Sequence, residues 1–391
     1  MDFSLSEEQI LIQDTARNFA NEELTPIAAE LDATGNHALM LPKLKQLAQM
    51  GFMGLNIQSE YGGSKVGTIA FSLAITEIAR ACASTAVTTS VTNLVAEVIQ
   101  SVGNEAQKQK YLPRICSGDY PAAGFCLSEA EAGSDPSAMR TQAAKKSTEN
   151  GTTYVLNGSK VFITSGSYAG LFVVWAVTNP AAARGKGISA FLVEADTPGL
   201  VVGQAESKLG QIGSATNEIQ FKECEISADC LLGKENDGFR IAVGELCGGR
   251  IGVGSLALGI GLAAMDYARD YIMQRKQFGK RLADFQGLQW KLADRYTDLE
   301  CARLLLMQAA YLKDANLPYA TAASMAKLTA TENANQACYD ALQMFGGAGY
   351  SKHYPLERMT RDVRVTSIYE GTSEIQRLII ARSLLSDASP K

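Results

Sequence analysis

The apolar residues change period twice along this chain, which narrows the folds open to it. Near the N-terminus Ile10, Leu11, Phe19, Leu24, Ile27 and Leu31 recur at helical intervals. They follow Ser4-Leu5-Ser6-Glu7, which has capping-box spacing. Pro42 opens a second short helix and Gly51 closes it. After Gly62-Gly63 an Ala-rich stretch predicts one long helix over 68–102, and a further helix is expected over 105–116. From Pro121 the texture becomes that of strands. A strand is expected over 122–127, and Thr153 to Leu156, Asn157-Gly158 and Lys160 to Thr164 together predict a hairpin with a type I′ turn. Further strands are expected over 171–177, 188–193 and 218–221, a β region of about 110 residues, the size of one domain. After Gly238 three long helices are expected, over 239–274, 282–315 and 318–345. The order is α, β, α, with expected domains at 1–120, 121–233 and 234–391.

Bulk properties remove several function classes. With 36 Lys plus Arg against 41 Asp plus Glu, the chain is mildly acidic and suits neither nucleic acid nor an anionic membrane as main partner. The longest apolar stretch, 254–265, is short for a bilayer span. The opening MDFSLSEEQI is acidic and helix-like rather than a signal peptide, so a soluble cytoplasmic protein is expected. The eight cysteines include no C-x-x-C pair, and buried free thiols are expected. Two histidines, His37 and His353, leave little room for a His-based triad or a metal site. Acid–base chemistry here falls to a carboxylate.

Five segments offer chemistry. Ile368-Tyr369-Glu370-Gly371-Thr372-Ser373 sets a lone carboxylate before a turn that opens a helix. Tyr369 and Ile368 can shield Glu370, Gly371 admits a close ligand, and Thr372 or Ser373 can cap. A shielded carboxylate is a better base; read alone, Glu370 equally suits a helix start. Cys126 to Asp135 leaves a strand for a Gly- and Ser-containing turn that exposes N–H groups and hydroxyls, and it also reads as an ordinary turn. Phe162-Ile163-Thr164-Ser165-Gly166 places an aromatic ring and a hydroxyl at a strand exit, where they either flank a planar ligand or finish a core. Arg275 to Arg281 clusters cations that suit a pyrophosphate or a helix C-terminus. Gln343 to Tyr350 packs three glycines behind a helix, more than a C-cap needs. Gly252-Val253-Gly254 imitates a dinucleotide fingerprint but follows a helix, so helix packing is expected there.

Together these segments resemble the acyl-CoA dehydrogenase family along essentially the whole chain. C-L-S-E-A-E-A-G-S-D fits its first signature, and 343–362 fits its second except at His353, where Asp, Glu or Asn is usual. The resemblance implies a helical domain, a β-barrel-like middle domain and a C-terminal four-helix bundle, with FAD as cofactor. Phe125, Leu127, Ser128, Gly133 and Ser134 would line the flavin and the CoA end of the substrate, facing Phe162, Ile163 and Thr164. Phe162 stands where many members have Trp. Arg275, Gln277, Phe278 and Gln286 would reach the FAD of a neighbouring subunit, and Gln343, Gly346 and Gly347 its adenine–pyrophosphate end. Thr372 and Glu374 would close over the FAD, while Cys247, Arg250 and Gly371 would join Ser134 around the substrate.

Glu370 aligns with the family's base. One branch carries that base instead at the position of Gly249, so Glu370 is the candidate here. Gly249-Arg250-Ile251-Gly252 and Arg80 to Thr85 look most like the short-chain, butyryl-CoA type. Glutaryl-CoA dehydrogenases place an Arg in the helix near Ala86, where alanine and threonine stand here, which disfavours a dicarboxylic substrate. The resemblance thus implies oxidation of an acyl-CoA to a trans-2-enoyl-CoA within β-oxidation. Glu370 would take the α-proton, flavin N5 the β-hydride, and the Glu370 N–H with the ribityl 2′-hydroxyl would form an oxyanion hole. Electrons would go to an electron-transferring flavoprotein, from at least a dimer and by family habit a tetramer, a dimer of dimers. A flavin oxidase or monooxygenase, or a non-catalytic assembly protein of the same fold, are the alternatives.

Overall fold

A computed structural model describes residues 4–149 and 151–387. Helices come first: α1 (Glu7–Phe19), α2 (Thr25–Thr34), α3 (Leu41–Gln49), α4 (Gly67–Ala81), α5 (Ala83–Val102) and α6 (Glu105–Cys116). The capping box of α1 lies two residues later than Ser4-Glu7. The Ser6 hydroxyl accepts from the Gln9 N–H at 3.2 Å, and the Gln9 side chain accepts from the Ser6 N–H at 3.0 Å. The single helix expected over 68–102 is broken at Cys82, which is extended at φ −150° and ψ 104°. No glycine or proline marks that break; its cause is tertiary. The α4 helix packs on α1, whereas α5 packs on α6 and the first strand, and one straight axis cannot serve both sets of partners.

The β module is one sheet of β1 (Ala123–Cys126), β2 (Gln142–Thr148), β3 (Gly151–Thr164), β4 (Leu171–Val177), β5 (Ile188–Glu194), β6 (Leu200–Ala205), β7 (Thr216–Ser227) and β8 (Leu231–Leu232). Its order is β6-β7-β3-β2-β4-β5-β8, with β1 parallel on β4. The apolar runs of β4 and β5 are buried along nearly their whole length, as strands covered on both faces must be. Asn157-Gly158 does not turn a hairpin. It lies inside β3, at a register shift against β7 between Leu156 and Gly158. Gly158 has φ 147°, and a Cβ there would lie 2.7 Å from the Thr141 Cα. The glycine therefore serves a β-bulge at a close approach, and the strand before it pairs back on β2 from Asn157 to Gly151. Strands β2 and β6 were not foreseen because their residues are mostly exposed and polar or interrupted by Gly203.

The last region holds α7 (Gly238–Gln274), a two-stranded ribbon of β9 (Lys276–Gln277) and β10 (Lys280–Arg281), then α8 (Gln286–Asp314), α9 (Ala320–Phe345), α10 (Leu356–Arg364) and α11 (Ser373–Asp387). By length and composition α7 could cross a membrane, unlike the shorter stretch picked out in the sequence, but 83% of its apolar window is buried inside the protein. It is the central core helix. Glycines let its neighbours approach on two sides. A Cβ on Gly252 would meet the Ser90 hydroxyl at 2.2 Å, and one on Gly259 the Thr76 carbonyl at 2.2 Å. On another side Gly254 would meet Leu306 at 2.7 Å, and Gly261 Leu299 at 2.9 Å. The sequence Gly252-Val253-Gly254 is thus helix packing.

Candidate active site

Glu370 occupies the turn between the 365–367 helical turn and α11, in the left-handed region at φ 52°, followed by Gly371 at φ 92°. Its Oε2 is buried and accepts no hydrogen bond. That oxygen faces α7 at Gly249, where a Cβ would lie 2.2 Å from it and 3.2 Å from Leu94 of α5. Any side chain at 249 would take the space the carboxylate uses. Burial pushes the Glu370 carboxyl up to about 7, against the opposing charges of Lys327 and Arg250. The result is a carboxylate poised to take and release a proton near neutrality. Of the two expected shields, Tyr369 packs against the core, its hydroxyl accepting from Gln211 Nε2 at 3.3 Å. Ile368 does not, being 49% exposed. Thr372 rather than Ser373 caps α11, its hydroxyl accepting from the Ile375 N–H at 3.3 Å.

The surrounding α7 and α9 residues are polar but scarcely exposed. Arg250 is buried, with Nη1 3.3 Å from the Ser324 hydroxyl and 3.4 Å from Cys247 Sγ, and its Nε has no partner. Burial raises the Cys247 thiol, which keeps it protonated and unreactive.

On the β side, the Val161 N–H donates to the Ser128 carbonyl at 2.9 Å, which closes the two motif-bearing strand ends onto each other. Phe125 packs its ring 4.2 Å from that of Trp175. Leu127 and Ile163 are buried, Ser128 and Thr164 are half-buried, and Phe162 at φ 58° turns a 67% exposed ring outward. Ser165 beside them keeps a buried hydroxyl without a partner. Gly133 and Ser134 are exposed on the following turn, and nothing stands within 4 Å of a Cβ on Gly133. The Ser165 N–H donates to Ala215 at 2.7 Å, and the 206–215 loop then reaches Tyr369 through Gln211.

The remaining predicted residues lie elsewhere. Gly254 faces Lys327 and Gly261 faces Ala334, so α7 and α9 run parallel. Their C-terminal ends meet where Tyr271 stacks on Phe345 at 4.0 Å. Arg275, Gln277, Phe278 and Gln286, with Gln343, Gly346 and Gly347, sit exposed at that end. From Arg250 to Gln274 the helix rises roughly 36 Å, so these residues do not share a site with Glu370 in one chain. Phe278 is 92% exposed at the tip of the β9–β10 ribbon, held at φ 53° before Gly279 at φ 76°. Thr372 and Glu374 border a separate cleft of 510 Å³ with Glu332, Asn335 and Arg364.

Two buried lysines escaped the sequence reading. Lys160 donates to Glu129 at 2.7 Å and to the Leu127 carbonyl at 3.1 Å, pinning the first motif to β3. Glu129 also accepts from the Arg140 and Thr141 N–H groups. The pattern Glu129 against an inward-facing residue of a strand was the available signal. Lys327 of α9 donates to the carbonyls of Tyr369 and Gly371, and no local signal marked it.

Residues 6–119, 124–224 and 236–385 match the N-terminal, middle and C-terminal domains of acyl-CoA dehydrogenase. The chain is 45% identical to an acryloyl-CoA reductase (NADH) of Anaerotignum propionicum, over 98% of this chain and 96% of that one. It is 44% identical to a short-chain specific acyl-CoA dehydrogenase of Clostridium acetobutylicum, over 97% and 99%. The structure of butyryl-CoA dehydrogenase from Megasphaera elsdenii superposes with a TM-score of 0.94 at 39% identity, covering 98% of this chain and all of that one. An oxidoreductase by descent and by architecture, the chain belongs to the acyl-CoA dehydrogenase family.

Proposed function

We propose that this protein draws hydrogen from the α- and β-carbons of a short acyl-CoA thioester, with Glu370 as the base that takes the α-proton. The cofactor is FAD, and the residues present suit it: a β-strand end with Ser128, Phe162 and Thr164, an unpartnered Ser165 hydroxyl, and open glycines at 133, 346 and 347. FAD, when bound, supplies the acceptor for the hydrogen that leaves the β-carbon with its electron pair. The observation carrying the proposal is the buried, unpartnered Oε2 of Glu370, with a carboxyl raised to about 7. At that value the base is largely ionised just above neutrality yet still basic enough to share an α-proton. The Glu370 N–H donates to the thioester oxygen as charge builds there; one such donor is typically worth about 3–4 kcal/mol. The burial of the carboxylate beside Gly249 limits its access to water.

Arg275, Gln277, Phe278 and Gln286 serve the FAD of a neighbouring subunit, and the protein works as at least a dimer. Their distance from Glu370 and the exposure of Phe278 support this reading. Electrons pass on to an electron-transferring flavoprotein. The similarity to an acryloyl-CoA reductase favours a second reading, the same chemistry run toward the saturated thioester. Anaerobic turnover of butyryl-CoA with an electron-transferring flavoprotein as acceptor, set against turnover of crotonyl-CoA with NADH and that flavoprotein as electron source, separates the two directions. Glu370→Gln should remain folded, yellow and FAD-loaded, with flavin bleaching by butyryl-CoA slowed about 10²- to 10⁴-fold, the range for loss of a positioned general base. Near-parental bleaching by this variant would remove Glu370 from the mechanism.

A further inference from the structure

We infer that Lys327 is a positioning residue for the base: its ammonium clasps the two carbonyls flanking Glu370 and so holds the turn that aims the carboxylate at Gly249. The inference rests on the reading of Glu370 as the base. Lys327 is fully buried, and its Nζ donates to the Tyr369 carbonyl at 2.9 Å and to the Gly371 carbonyl at 2.6 Å. Those two carbonyls converge because Glu370 and Gly371 are consecutive left-handed residues, at φ 52° and 92°. Gln376 Nε2 shares the Gly371 carbonyl at 2.9 Å. The close approach of α7 at Gly254, whose Cβ would lie 3.5 Å from the Lys327 Cα, sets the lysine under the turn.

A buried cation satisfied by neutral carbonyls leaves its charge free to act on its surroundings. The charged groups facing it are Glu370 in the turn, Arg250 from α7, Glu332 on its own helix and Glu374 from α11. Burial brings the Lys327 ammonium down to about 8, so it is still mostly charged at pH 7. It thereby opposes the rise that burial imposes on Glu370. The lysine does not touch the reacting carbons; it acts through the carboxylate.

The test compares Lys327→Met and Lys327→Gln holoenzymes with the parent, following anaerobic flavin bleaching by butyryl-CoA from pH 5.5 to 9, with FAD content and melting recorded. The Met variant should bind FAD, keep its KM, and bleach about 10- to 100-fold more slowly, the range for a misplaced catalytic group. Its acid limb should move up by about one to two pH units, because the carboxylate has lost a neighbouring cation. The Gln variant keeps N–H donors for both carbonyls, so it should recover part of the rate while keeping the displaced limb. Unchanged rate and pH profile in a folded, FAD-loaded variant would overturn the inference, as would failure of both variants to fold, which would assign Lys327 to stability alone. Failure of the base reading shows up separately, as bleaching that persists in Glu370→Gln.

Discussion

Glu370 combines three costs in one residue: a left-handed backbone, a buried oxygen without a partner, and a carboxyl raised to about 7. Features of this kind gather at working sites because the surrounding structure overrides local preference. They also have a pH signature. In an unfolded chain a Glu titrates near 4.3, roughly, so the folded protein holds the proton more tightly. The stability associated with protonated Glu370 is therefore complete below that value and is lost as the pH rises through about 7. Glu370→Gln cannot ionise, so its melting temperature should gain on the parent by a few degrees from pH 5 to pH 8. A gap that stays constant across this range would contradict the burial argument. The carboxylate itself was legible in the sequence, because Tyr369, Gly371 and Thr372 mark a shielded turn before a helix. The exposure of Ile368 was not, since it depends on how the 365–367 turn is rotated. Lys327 was invisible for a different reason: its partners are backbone carbonyls 42 and 44 positions away, which leave no trace in residue type.

Among the elements, α7 shows how a glycine pattern can serve packing alone. Gly252 and Gly259 admit α5 and α4, while Gly254 and Gly261 admit α8 and α9. Gly259 is the stricter of these, because the nearest atom to an added Cβ is the fixed Thr76 carbonyl oxygen at 2.2 Å rather than a side-chain end. Gly259→Ala should therefore destabilise by about 1–3 kcal/mol through overpacking, read as a shift in the urea midpoint. No loss of stability would mean that α4 and α7 separate freely. Helix order and extent were readable from periodicity, as in α7, whose Gly238–Gln274 span nearly matches the expected 239–274. Breaks imposed by neighbours were not, as Cys82 shows. Asn157-Gly158 misled for a related reason: the dipeptide signals a left-handed or open backbone, and a bulge inside a long strand uses that as readily as a hairpin tip.

For the molecule as a whole, the parallel run of α7 and α9 leaves Glu370 towards one end of the bundle and the Phe278 ribbon at the other. An aromatic ring 92% exposed in a left-handed turn contributes nothing to its own chain's core. Phe278→Asp should leave the monomer fold intact by circular dichroism while lowering both the mass measured by light scattering and the bound FAD. Unaltered mass and flavin content would rule out the proposed role of the ribbon between subunits. The α, β, α order was plain in the sequence, but the ties among the three regions were not, because they join residues far apart in the chain. Arg361 of α10 binds Asp32 near the end of α2 through Nη1 and Nη2, at 3.0 and 2.7 Å. Next to it, the Asp362 carboxylate accepts from the Gln211 N–H, and Gln211 reaches Tyr369 as well. The helical start, the β module and the C-terminal bundle thus converge on the few residues leading into the Glu370 turn. A chimera that exchanged the β module alone for a relative's would bring a foreign 206–215 loop to Asp362 and Tyr369. Transplanting a working turn requires α2, that loop and α10 to travel together.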